Sequence, residues 1–267
     1  MFLVYPSTPV IDDTLQTATA APPAVDITAD DGVRHELWVV GNGSTVDHLS
    51  SAFEHLPALY VADGHHRSAA ASRIAAARRA ANPGHTGEEP YNYFLSVIFP
   101  HNQMQIMDYN RVVKDLHGLD PETFLRRIEV PFKVEHSAEP VRPSRPAQFG
   151  MYLDGVWYRL TLDEQRIPWE DPVGRLDVSL LQDNLIEPIL GIVDPCRDDR
   201  IGFVGGIRGL EGLARRVDDG GMRIAFSLHP TRMEELMAVA DAGEVMPPKS
   251  TWFEPKLADG VVSHPLD

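Results

Sequence analysis

Tyr60-Val61-Ala62-Asp63-Gly64-His65-His66-Arg67-Ser68 is the stretch on which the reading of this chain turns. Residues 58–62 are a short apolar run, the pattern of a buried strand. An alanine-rich run follows to Ala81, with Arg73, Ile74, Arg78 and Arg79, and Asn82-Pro83-Gly84 ends it as a helix. Gly64 between them lets the backbone turn and lets an anion come close. The helix opening then offers unpaired N–H groups and the positive end of its dipole. Arg67 adds a forked, permanently charged donor suited to phosphate oxygens. Together these residues predict a phosphate cradle. Gly64, His65 and Ser68 are its expected contacts, and Asp63, His66 and Arg67 its expected catalytic groups. Asp63 has three readings: a plain helix cap, a ligand of magnesium, or the group that positions a hydroxyl nucleophile. Adjacent histidines point different ways on a helix, so at most one of them faces the ligand.

Working outward, residues 2–5 read as a strand and 11–21 as a helix stopped by Pro22-Pro23. Strands at 24–28 and 34–40 form a hairpin around Asp30-Asp31-Gly32, and 46–55 has helical spacing. Downstream, 92–99 is a strand, Pro100-His101-Asn102 a turn, and 105–109 the returning strand. Asp120-Pro121-Glu122 starts a helix. Three prolines within residues 139–146 mark a linker or domain edge. A second hairpin, 149–153 and 156–162, turns at Asp154-Gly155. Helix 179–190, strand 201–204, helix 210–217, strand 223–228 and helix 232–242 then alternate as a βαβα unit. The expected class is mixed α/β. An anion-binding part spans 1–138 and a second α/β part spans 147–267.

The chain has 267 residues, 43% of them hydrophobic, enough for a sizeable core. Its 24 basic and 39 acidic residues give a net charge of −15. That excess repels phosphate backbones and anionic lipid, so neither nucleic acid nor membrane is an expected partner. A single cysteine, Cys196, excludes an internal disulfide and a thiolate metal cluster. With no basic-flanked apolar leader and no run of ~18 apolar residues, a reducing cytoplasm is the expected location. The motif inventory is otherwise negative: no His-Glu-x-x-His, Cys-x-x-Cys or Gly-x-Ser-x-Gly occurs. Gly205-Gly206-Ile207-Arg208-Gly209 is neither a dinucleotide nor a P-loop fingerprint. Its plain reading is a tight strand-to-helix turn, with Arg208 as a possible anion contact. Lys249, stiffened by Pro247-Pro248, is either a point charge for a phosphate or a solvent-facing lysine. Asn110, Arg111 and Lys114 are weaker candidates for the same pocket.

Four stretches carry a resemblance. They are Tyr60 to Ala70, Tyr109-Asn110-Arg111-Val112-Val113-Lys114-Asp115, Phe203-Val204-Gly205-Gly206-Ile207-Arg208-Gly209, and Met246-Pro247-Pro248-Lys249-Ser250-Thr251-Trp252-Phe253-Glu254-Pro255. In this order they resemble the bacterial family catalogued as domain of unknown function 1015, over nearly all of the chain. Gly64 to Arg67 is similar, more distantly, to the Gly-x-x-Arg box of ParB-like and sulfiredoxin-like domains, which sits at a helix start and holds nucleotide phosphates. Some members of that group phosphorylate free serine. The resemblance implies a phosphotransferase for a small hydroxyl substrate such as serine, with ATP, ADP or pyrophosphate as donor and Mg2+ as cofactor. Relatives are longer at the amino end, and the serine kinases use an upstream glutamate to deprotonate their substrate. The only upstream glutamates here are Glu36 and Glu54. The rival expectation is therefore a non-catalytic module that senses a nucleotide or phosphometabolite, or a truncated inactive homologue.

Overall fold

Strand β1 (Phe2–Tyr5) is buried along its whole length and organises the first part of the structure, a computed structural model that describes residues 1–253, 260 and 262–264 without the side chains of His65 and His66. It lies between β4 (Tyr60–Asp63), antiparallel, and β5 (Val97–Pro100), parallel. Helix α1 (Pro9–Ala18) starts where Thr8 accepts from the Ile11 amide, and it buries Ile11 completely. Tyr5 Oη donates to Asp12 Oδ1 at 3.2 Å, fastening α1 back to the strand. Helix α2 (Gly43–Glu54) is capped by Asn42 and sets Phe53 edge-on to Tyr5, ring centres 5.2 Å apart. The expected hairpin forms from β2 (Val25–Thr28) and β3 (Arg34–Leu37), clamped by a forked Arg34–Asp26 pair. Helix α3 (His65–Ala81) follows β4 directly. These elements make one unit, Met1–Met104 together with the end of the chain; Gln105–Leu257 make another.

The second unit is built on a six-stranded sheet. In spatial order its strands are β11 (Ile201–Gly205), β7 (Tyr109–Val113), β12 (Ile224–Ser227), β9 (Gln148–Leu153), β10 (Val156–Leu162) and β8 (Phe132–Ser137). Every neighbouring pair is antiparallel. Alternation along the strands sends apolar side chains to both faces. On one face Val113, Met151, Leu160 and Phe226 pack with Phe124 and Ile128 of α4 (Pro121–Ile128) and with Leu180 and Leu181 of α5 (Asp177–Leu181). On the other, Val112, Tyr152 and Ala225 meet Leu213 of α6 (Gly209–Asp218). Helix α7 (Met233–Asp241) follows β12 and buries Met233, Leu236 and Val239. A separate pair joins β6 (Ile106–Met107) to β13 (Trp252–Phe253).

The mixed α/β class stands, with differences in detail. The alternation of β11, α6 and β12 is present, but the two strands are not neighbours: β7 lies between them, antiparallel to both. The strand expected at 105–109 does not return along β5. Its first part, β6, pairs with β13, and β7 enters the six-stranded sheet. The helix expected over 179–190 is α5 followed by a π-helical turn, Gln182–Ile186, in which the Glu187 amide bonds Gln182 O at 2.9 Å. The proline-rich 139–146 is no linker between the units, because it runs inside the second one. Val141 is buried there and its carbonyl accepts from Ser227 Oγ at 2.7 Å.

Candidate anion-binding site

The turn from β4 into α3 begins with an irregular register. Leu3 pairs with Val61 but Phe2 pairs with Asp63, so Ala62 is the extra residue of a bulge. A bulge bends its strand and re-aims the side chain beyond it. That side chain is Asp63, the last residue of β4. Gly64 is buried and left-handed, at φ 101° and ψ 26°, a conformation in which a Cβ is strained. It takes the N-cap position itself, so the plain reading of Asp63 as N-cap residue gives way to glycine. The first helical bond runs from the Ser68 amide to Gly64 O, 2.9 Å. The amides of residues 65 to 67 come before that ladder and face the helix opening.

Arg67 folds back over this opening. Its Nε lies 3.3 Å, and one terminal nitrogen 3.5 Å, from where a Cβ on residue 64 would be. The same guanidinium stands 3.9 Å from Asp63 Oδ2, with side chains 66% and 40% exposed. A long pair in that much water is weak, so an incoming anion can compete for Arg67 at little cost. Five of the expected residues (Asp63, Gly64, His65, His66 and Arg67) thus share one strand-to-helix turn, and half-buried Ser68 begins the next helical step. The side chains of His65 and His66 lie outside the described residues, as do Glu254 and Pro255 of the tail motif.

The other two expected cations belong to the second unit. Arg208 is exposed at the N-cap of α6. The glycines before it serve packing. The Gly206 amide donates to Asp108 O at 2.7 Å, and a side chain on residue 206 would overlap the Asp108 carboxylate. Lys249 has an exposed side chain on a left-handed backbone, φ 59°. Among the described residues its carbonyl, not its ammonium, is engaged: it accepts from Arg111 Nη2 at 2.9 Å. Arg111 itself is the group whose weight the sequence understated, being only 6% exposed. Among the described residues no set of three or more His, Cys, Asp or Glu side chains is placed to hold a metal ion. None of their helices is long and apolar enough to cross a membrane.

Among solved structures the chain is similar to a free serine kinase in complex with AMP, at 12% identity over 94% of this chain and 83% of that one, TM-score 0.36. A mutant free serine kinase in complex with ADP gives 14% identity over the same shares, TM-score 0.35. A conserved hypothetical protein from Pyrococcus furiosus gives 12% over 94% and 86%, TM-score 0.36. No curated protein matches the chain. The family described as "Protein of unknown function (DUF1015)" matches residues 1–179, the Asp63–Arg67 turn included, and this chain belongs to that family.

Proposed function

We propose that the chain binds the phosphate of a nucleotide or of pyrophosphate at the start of α3 and transfers a phosphoryl group to a small hydroxyl substrate, serine being the first candidate. The observation that carries this reading is the Arg67 guanidinium folded over left-handed Gly64, at the mouth of a helix whose first amides precede the ladder. The similarity of the Gly64–Arg67 box to ParB-like and serine-kinase boxes supports it.

In this reading the amides of residues 65 to 67 and Arg67 hold the phosphoryl oxygens, where positive charge stabilises the transition state. The substrate hydroxyl attacks phosphorus as the donor's bridging P–O bond breaks, and its proton passes to Asp63, with His66 as the alternative acceptor. Asp63 is also the carboxylate that would hold a magnesium ion carried in on the donor's phosphates, since that ion commonly uses one or two carboxylates plus phosphate and water.

The test is incubation with magnesium, free serine and ATP, ADP or pyrophosphate in turn. Phosphoserine should form with one donor and fall at least ~100-fold in Arg67→Ala, as loss of one such electrostatic donor does. Turnover and binding both indifferent to Arg67→Ala would overturn the reading. A sensor without turnover is the second reading, and one observation favours it. Glu36 is paired with Arg34 at 3.0 Å on the β2–β3 hairpin, and Glu54 is exposed at the end of α2, so neither upstream glutamate is held as a base at the box. Saturable nucleotide binding without product decides for it.

A further inference from the structure

A cavity of about 380 Å³ opens in the second unit, at the lower end of the range for small-molecule clefts (roughly 300–1,000 Å³). Its wall includes Arg111 of β7, Ser179 of α5, Gln182 and Asp183 of the π-helical turn, and Asp171 and Asp194 from loops. A π-helical turn widens the backbone and is frequent at functional sites.

Arg111 is buried with its charge unopposed. Nη1 donates to Tyr109 O at 2.6 Å and Nη2 to Lys249 O at 2.9 Å. The guanidinium lies 4.7 Å from the Phe203 ring centre and 5.7 Å from that of Tyr109. Among the described residues no carboxylate comes within ion-pair distance of it. Its remaining N–H groups, Nε–H included, have no acceptor there either. Burial pushes its pKa down to about 10, so it stays a cation at neutral pH. An arginine held this way, at the wall of a cavity, is a fixed donor fork with room for a carboxylate.

The acidic groups complete the pattern. Asp194 accepts from the Cys196 amide and has Arg197 at 3.4 Å, so its charge is matched. Asp171 accepts from the Val173 amide at 2.9 Å, and backbone bonds hold its carboxyl below the ordinary range. Asp183 has no cation and no donor among the described residues. Burial, then Glu187 and Asp171, push its carboxyl upward. With Asp194 matched, one cation faces two carboxylates. A simple anion would meet net negative charge, and a simple cation would leave Arg111 unmatched. We propose that this cavity binds a free α-amino acid with a cationic side chain, its carboxylate on Arg111 and its positive groups toward Asp183 and Asp171. The inference stands apart from the phosphate reading, which rests on the other unit.

Calorimetric titration of the full chain with L-lysine or L-arginine tests it, with L-serine, acetate and 1,5-diaminopentane as comparators. Lysine or arginine should bind saturably and at least 10-fold tighter than acetate or 1,5-diaminopentane. Asp183→Asn should lose at least 10-fold for the basic amino acid while changing serine binding less than 3-fold. Arg111→Met keeps an unbranched side chain between the rings and should abolish binding, with the melting temperature checking that the unit is folded. If Arg111→Met does not fold, Asp183→Asn decides alone. Absence of binding at millimolar lysine and arginine, equal affinity for acetate or diaminopentane, or binding unchanged by Asp183→Asn overturns the proposal. Arg67→Ala should leave this titration unchanged, so it fails independently of phosphate binding.

Discussion

Two glycines show how differently the same residue type is used. At Gly64 the backbone demands φ 101°, and the guanidinium of Arg67 rests against the bare Cα. Gly64→Ala should cost about 1 kcal/mol or more in stability and displace Arg67 from the helix mouth. Paired thermal unfolding and nucleotide titration of that variant would show both losses. At Gly206 the backbone is unremarkable but the space is already taken by Asp108. Gly206→Ala should therefore destabilise by roughly 1–3 kcal/mol in denaturant unfolding, without touching the box. The first glycine was legible in the sequence because strand, glycine, helix and arginine are neighbours along the chain. Arg111 was not, beyond a weak suspicion. What buries it comes from far away: the Lys249 carbonyl, 138 residues on, and the Phe203 ring.

Elements with local signatures were readable for the same reason. Asp120 caps its helix by accepting from the Thr123 amide, three residues ahead, as Asp120-Pro121-Glu122 predicts. Both expected hairpins formed around their glycine turns. The π-helical turn after α5 had no local signature, since its wide bonds are fixed by packing against the sheet. Strand β6 departs from its expected pairing because its partner, Trp252–Phe253, lies far away in the sequence. At the start of α5, Asp177 Oδ1 accepts from the Ala147 amide, while its other oxygen is buried with no partner at hydrogen-bond geometry among the described residues. Burial raises its carboxyl to about 7. The folded state then holds that proton more tightly than the unfolded chain does. Stability is greatest below the ordinary carboxylate range and declines as pH rises toward about 7. Asp177→Asn should flatten this decline, read as melting temperature against pH from 5 to 8.

At the scale of the molecule, the central strands β12 and β9 of the second unit are buried along their whole length, whereas β8 at the sheet's edge exposes Lys133, Glu135 and His136. Phe226 of β12 is fully buried against α-helical side chains, and Phe226→Ala should cost about 3–5 kcal/mol in denaturant unfolding. The division into units was not legible at its true place. Prolines at 139–146 signal a break in regular structure, but a break inside a unit and a break between units look alike in sequence. The strand order has a further consequence. Tyr109–Val113 finds its two neighbours only in Ile201–Gly205 and Ile224–Ser227. A nascent chain that has emerged through α5 therefore carries this strand with both edges bare; one is covered only when Ile201–Gly205 emerges and the other only when Ile224–Ser227 does. Closure of this sheet is a late, long-loop event, and the interval before it is when the polypeptide is most exposed to aggregation and most in need of a chaperone.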